Sequence, residues 1–333
     1  MLKGAKLIVK GPIFLQPIFH EKIWGGSRLR DIYNYPIESS LIGECWAIAA
    51  HPNGESNVRC GKYKGLKLSE LWSKYPELFG YYESEKFPLL TKIIDANENL
   101  SVQVHPDDYY AQKYENGEHG KSECWYIIDC IEDADIIIGH NAQTKQEFIN
   151  KVKNGSWDQL LQRIKIKPGD FFYIPSGTLH AICKGTILLE TQQNSDTTYR
   201  VYDYNRRDKN GELRELHLQK AIDVITTPHK EIKCNSHVFK KNGATIITFM
   251  KGEYFTVAKW TIKDRLSMKQ NQPFMLFSVI EGKGILKTNE QQYELYKGDH
   301  FILPYKLNKF NIKGNIQFIV SYPSSNIERK VDK

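Results

Sequence analysis

Short runs of alternating apolar and polar residues, separated by Gly, Pro, Asn and Asp, recur along most of this chain. Ser101-Val-Gln103-Val-His105 is one such run. Its period of two puts Ser101, Gln103 and His105 on one face of a strand, and Val102 and Val104 on the other. Lys121-Ser-Glu123-Cys-Trp125-Tyr-Ile-Ile reads as a second strand, with Lys121 and Glu123 sharing a face. Between residues 167 and 180, Gly169-Asp170 makes a turn, Phe171 to Ile174 form a short strand, and Pro175-Ser-Gly177 turns the chain again. That second turn delivers His180 at the head of another strand.

Helical spacing interrupts the strands at a few places. It covers 66–79, with Ser69 as an N-cap, and 106–114, with Pro106 near the first turn. The stretches 144–153 and 157–163 suggest a helical hairpin broken at Asn154-Gly155, and 213–225 is amphipathic. After about residue 230 the helices stop. Strands are expected over 239–249, 254–262, 274–281 and 284–286, with Glu281-Gly-Lys-Gly284 as a hairpin turn.

One unit occurs twice. Lys167-Pro-Gly169-Asp170-Phe-Phe-Tyr-Ile-Pro175 returns 129 positions later as Tyr296-Lys-Gly298-Asp299-His-Phe-Ile-Leu-Pro304. No histidine follows the second copy at the distance of His180, and Asn308-Lys-Phe310 stands there instead. The pattern is that of a duplicated barrel whose second copy kept its turns and lost its metal site. The fold expected is mainly β: two jelly-roll barrels with a few helices inserted in and after the first. The first domain would span 1–228 and the second 229–333.

The 333 residues suffice for two medium domains. Lys and Arg number 46 against 39 Asp and Glu, a formal charge of +7 spread along the chain apart from Arg329-Lys330. That distribution suits a small anionic molecule and argues against nucleic acid. The six cysteines form no Cys-x-x-Cys pair and read as reduced thiols. Met-Leu-Lys-Gly-Ala-Lys at the start lacks an apolar signal core, and no stretch is apolar enough for a membrane span. A cytoplasmic protein without a membrane or nucleic-acid partner, monomeric or a weak homodimer, is expected.

Gln103, His105, Glu123 and His180 together offer two imidazoles, a carboxylate and an amide oxygen. Such a set suits zinc and also manganese, cobalt or ferrous iron.

Gly169, Asp170, Pro175, Gly177 and His180 match the second motif of the cupin superfamily, Gly-Asp-x4-Pro-x-Gly-x2-His; Lys184 departs from its closing Asn. Gln103-Val-His105-Pro106-Asp107-Asp108, Lys121-Ser-Glu123-Cys-Trp125, Pro175-Ser-Gly177-Thr-Leu-His180 and Tyr199-Arg200-Val-Tyr-Asp203-Tyr, with Trp24-Gly25-Gly26 upstream, resemble the type I mannose-6-phosphate isomerases in order and spacing. The resemblance covers about Pro17 to Ile225, and the second cupin resembles the C-terminal part of the short bacterial form.

The resemblance implies interconversion of mannose 6-phosphate and fructose 6-phosphate through a cis-enediol, with one zinc ion. Its ligands would be His105, Glu123 and His180, with Gln103 as a fourth. Arg200 would match the family's essential arginine and Lys121 a lysine lining the pocket. An arginine keeps its charge, so Arg200 suits an oxyanion clamp better than a base. For the base, Lys121, a zinc-bound hydroxide, Glu190 and Asp196 are all open. Trp24 could floor the sugar pocket, and Arg206, Arg207 and Lys121 could meet the phosphate. The competing readings are another metal cupin, such as an iron dioxygenase or a different sugar-phosphate isomerase, and a non-catalytic sugar-binding cupin.

Overall fold

The computed structural model describes residues 11–324 except 209, 290, 306 and 308. The expectations placed on Met1 to Lys6, Asn308 and Arg329-Lys330 lie outside the described residues. Two compact units emerge, and neither is a continuous stretch of chain. One unit contains Ile18–Trp46 and Leu89–Cys234. The other contains the chain up to Pro17, Ala47–Pro88 and the chain from Asn235 onward. A single cut at residue 228 therefore does not separate them. The strand Ile13–Gln16 pairs with His300–Leu303, which takes the N-terminal segment into the C-terminal unit.

The unit built around Leu89–Cys234 is a sandwich of two antiparallel sheets. A six-stranded sheet runs in the order 171–174, 123–130, 186–193, 89–96, 42–48, 18–26. A five-stranded sheet runs in the order 161–165, 135–140, 180–182, 102–104, 199–202. The core lies between them: Trp24, Ile94, Trp125, Ile127, Ile174 and Leu188 from one sheet meet Ile136 and Ile182 from the other. Val102 and Val104 point out of the sandwich and pack with Phe148, Leu160 and Ala221 of three covering helices. The alternation around Gln103 is thus explained: valines face the helices, and the polar residues between them face the interior.

The other unit is one ten-stranded sheet curled over a large apolar core. The chain belongs to the mainly-β, jelly-roll cupin class; its ladders form facing or curled sheets rather than closed hydrogen-bonded barrels. Among the described residues no helix is long and apolar enough to cross a membrane.

Several elements differ from the sequence pattern for local reasons. The 66–79 helix splits into Leu68–Lys74 and a single 3-10 turn Pro76–Phe79, because Tyr75 precedes proline and leaves the helical region. Lys67 occupies the cap position, and Ser69 sits inside the helix, bonded to Glu55. The 157–163 helix ends at Leu160, and Leu161–Lys165 continues as a strand along Asp135–His140. The 213–225 helix is confined to Leu218–Val224.

The expected strand 239–249 is a hairpin, His237–Lys241 and Ala244–Lys251, turning at Asn242 and Gly243 with φ of 49° and 77°. Glu281 to Gly284 makes no hairpin. Met275–Lys287 is one strand, bulged between Val279 and Glu281 along its ladder with Lys309–Pro323.

Candidate metal centre and active site

Three strands deliver the expected ligands. His105 follows Val102–Val104, Glu123 opens Glu123–Cys130, and His180 opens His180–Ile182. The Pro175-Ser-Gly turn is tied to the other two segments. Ser176 N donates to Ser122 Oγ at 3.2 Å, and Gly177 N donates to the His105 carbonyl at 2.8 Å. Gly177 has φ of 81°, and a Cβ there would fall 2.6 Å from Thr226 Oγ1, so this junction requires glycine.

His105 Nε2 stands 3.3 Å from Glu123 Oε2, and His180 Nε2 stands 3.4 Å from Oε1. The opposite ring nitrogens are taken: His105 Nδ1 lies 2.8 Å from the Thr197 carbonyl and His180 Nδ1 lies 2.9 Å from the Thr178 carbonyl. A carbonyl only accepts, so each neutral ring carries its proton on Nδ1 and aims the Nε2 lone pair at the carboxylate. Glu123 is fully buried, and neither of its oxygens has a hydrogen bond of acceptable geometry. Lys121 Nζ reaches 2.7 Å from Oε2 as an ion pair, and 3.0 Å from His105 Nε2. Two lone pairs converging on a carboxylate, with all donor atoms within 4.8 Å of one another, make a fit for a divalent cation.

The electrostatics agree. Burial, then the Lys121 charge, pushes the His105 pKa down to about 3, and burial lowers that of His180. Burial alone would raise the pKa of Glu123. The Lys121 ammonium outweighs it and holds the carboxyl well below its ordinary range. All three groups thus stay in their metal-binding protonation states over a wide pH range. Gln103 pairs across the sheet with both His180 and Arg200, and its amide lies 3.4 Å from His180 Nε2. A primary amide presents its oxygen or its nitrogen on a half-turn, so Gln103 can offer a fourth oxygen donor.

Beside this group opens a hollow of about 200 Å³. Trp24, Gln103, Lys121, Glu190, Asp196 and Arg200 all line it. Trp125 Nε1 donates to Glu190 at 3.0 Å. Burial first, and the charge of Glu123 second, lift the Glu190 pKa to about 7. Arg200 donates from Nη1 to the Glu215 carbonyl at 2.8 Å, and its Nε is buried without a partner.

Arg206 does not line the hollow. Its guanidinium is spent on Asp203 and the Asn99 carbonyl, while Arg207 bonds the Gly211 carbonyl on an exposed turn.

Residues that the motifs did not flag complete the wall: Lys22, Glu44, Lys92 and Arg214. Lys92 is buried 3.7 Å from Glu190, 3.9 Å from Glu44 and 4.0 Å from Asp196, with its ammonium 4.8 Å above the Trp46 ring. Burial opposes its charge, but the carboxylates prevail and raise its pKa. A charged residue inside an otherwise buried strand was the available signal, in Leu-Leu-Thr-Lys92-Ile-Ile and in Ile-Gly-Glu44-Cys-Trp.

A jelly roll enclosing a His–Glu–His group beside a charged hollow defines a cupin fit for a divalent ion and a polar small molecule. The family description "Phosphomannose isomerase type I, catalytic domain" matches residues 13–129, and "Mannose-6-phosphate isomerase, cupin domain" matches 245–323. The chain is 54% identical over 311 residues to the mannose-6-phosphate isomerase ManA of Bacillus subtilis strain 168, covering 93% of this chain and 98% of that one. It is 49% identical over 311 residues to the mannose-6-phosphate isomerase of Streptococcus mutans, covering 93% and 98%.

The crystal structure of a Bacillus subtilis mannose 6-phosphate isomerase matches with a TM-score of 0.93 at 55% identity, covering 94% of this chain and 100% of that one. The apo Salmonella typhimurium enzyme shares the fold alone, at 14% identity and a TM-score of 0.74 over 95% and 100%. The chain belongs to the type I mannose-6-phosphate isomerase family, whose members are aldose–ketose isomerases.

Proposed function

We propose that this chain interconverts mannose 6-phosphate and fructose 6-phosphate, by zinc-assisted proton transfer between C1 and C2 through a cis-enediol. The reading rests on the buried Glu123 carboxylate, whose two oxygens face two imidazole lone pairs, in a chain whose relatives carry that name. His105, Glu123 and His180, with the Gln103 amide, would hold the ion. Zinc there supplies Lewis-acid stabilisation for negative charge that grows on a sugar oxygen.

The chain's own groups provide the rest. Arg200 keeps its charge and has a buried, unpaired Nε, which suits it to clamp a developing oxyanion. Lys121 places an ammonium beside the carboxylate and the His105 ring. Glu190 changes protonation near neutral pH and stands in the same hollow, as an acid–base group must. Trp24 and Asp196 line the sugar's space. The hollow's many charges suit a polyol and give no support to an oxygen-activating alternative. All six cysteines are unbridged, which favours a reducing cytoplasm.

The test is a coupled assay of the purified protein on mannose 6-phosphate with and without a chelator, alongside metal analysis. Turnover that the chelator abolishes and zinc restores is expected. Turnover unaffected by complete metal removal would refute the metal-assisted step.

A further inference from the structure

Lys121 holds the same atoms that a divalent ion needs. Its Nζ lies 3.0 Å from His105 Nε2 and 2.7 Å from Glu123 Oε2. The contact to the ring is a hydrogen bond of good geometry, whereas neither Glu123 oxygen receives one. His105 Nδ1 spends its proton on the Thr197 carbonyl, so Nε2 has a single lone pair, and the ammonium donates to it. One lone pair serves one cation. His180 repeats the arrangement more loosely, with the Gln103 amide 3.4 Å from its Nε2. Gln103 can exchange its N–H for an oxygen by a half-turn of the amide, but an ammonium has no acceptor to present.

Charge leads to the same place. The side chains of Lys121 and Glu123 are 4% and 0% exposed and balance one another. A dication added beside that ammonium would set three positive charges against one carboxylate, away from water. The ammonium has somewhere to go. Lys121 already forms part of the wall of the hollow, and Glu190 in the same wall feels its charge. Its four-carbon stem is flexible, so a short swing releases both ligand atoms.

We propose that Lys121 is the counter-ion of the unloaded His–Glu–His group, that a divalent ion displaces it, and that loading thereby turns the ammonium into the hollow. Lys121 then serves the substrate's space only in the loaded protein. The assignment rests on the metal centre and not on the identity of the sugar.

A lysine that merely braces Glu123 would support the metal-free and loaded forms alike, so linkage separates the two cases. Lys121→Met should tighten zinc binding roughly 10- to 100-fold, read by competition with a chelator. The metal-free variant should lose the same free energy in urea unfolding, about 1.4 to 2.8 kcal/mol, while at saturating zinc it keeps wild-type stability. Lys121→Arg, which keeps the charge, should bring both values back toward wild type. If the methionine variant does not fold without zinc, Lys121→Gln carries the same comparison. Unchanged or weaker zinc binding, or equal destabilisation of the two forms, overturns the assignment. A wild type that takes up no divalent ion removes the metal centre and this assignment with it. A wild type that binds zinc without turning over mannose 6-phosphate removes the sugar reading alone.

Discussion

The two Gly-Asp units of this chain have the same backbone and opposite interiors. In the first, Asp170 Oδ2 accepts from Lys167 N at 3.0 Å, Gly169 N donates to the Ile127 carbonyl at 2.9 Å, and Ile127 N donates to the Asp170 carbonyl at 2.9 Å. In the second, Asp299 Oδ2 accepts from Tyr296 N at 2.8 Å, Gly298 N donates to the Val279 carbonyl at 3.0 Å, and Val279 N donates to the Asp299 carbonyl at 2.9 Å. Gly169 and Gly298 share a positive φ, 98° and 89°, which the turn demands.

The strand registers then align residue by residue. Ile174 sits opposite Glu123 in one unit, and Leu303 sits opposite Met275 in the other. Trp125, 5.5 Å from the His180 ring, has Phe277 as its counterpart, stacked on Phe301 at 5.0 Å. The turn therefore specifies a strand pairing and nothing chemical. What makes one interior a site is a carboxylate where the other has a thioether, and the His180 imidazole where the matching position of the other is the exposed Lys309.

That contrast can be tested by substitution. His180→Ala should lose bound metal and lower kcat at least about 1,000-fold while the protein stays folded. Phe277→Ala should cost about 3–5 kcal/mol of stability and leave metal content and kcat at wild type. Metal analysis, turnover and urea unfolding of both variants check the pair. If Phe277→Ala depleted the metal as much as His180→Ala, the division of labour would be wrong.

A smaller effect concerns pH. His105 in the site and His300 in the apolar unit are both depressed to about 3, by burial first and then by Lys121 and Arg59 respectively. Both are neutral when folded, so on acidification the unfolded chain takes up protons first, from about pH 6.5 downward. Stability of the metal-free protein should accordingly fall by about 2 kcal/mol per histidine between pH 7 and pH 5. Bound zinc should raise stability at both pH values without removing this loss, because His105 is neutral in the folded state with or without the ion. Urea unfolding at both pH values, with and without zinc, reads this out; equal protection of a His300→Gln variant and wild type is expected.

The smallest difference lies in the turns. Asp170→Ala and Asp299→Ala each remove one acceptor from a backbone N–H, at about 1 kcal/mol. The second variant should cost slightly more, because Asp299 also holds Arg59 at 2.7 Å. Denaturant midpoints of the two variants measure it, and a cost near zero for either would show that the shared bonds do not hold the turn.

Much of this was legible in the sequence. Alternation around Gln103 and the turn ahead of His180 placed the ligands on the correct faces, because a two-residue period and a proline–glycine turn are local properties. The partners of those ligands were not legible. Thr197 and Thr178 act through backbone carbonyls, which any residue possesses. Lys92 and Glu44 appear as charges in apolar strands, and only the folded sheet shows that they face one another. Arg206 sat closer to the Tyr-Arg200 motif than Arg214 did, yet Asp203 and Asn99 turned it aside. The grouping of 47–88 with the C-terminal sheet is likewise a matter of long-range pairing, which no local pattern encodes.

One pairing also sets a timetable for synthesis. Ile13 lies opposite Ile302, so the ten-stranded sheet cannot acquire its N-terminal strand until residues 300–303 have been translated. The unit carrying His105, Glu123 and His180 ends at Cys234, so its last residue is translated 68 codons before Ile302.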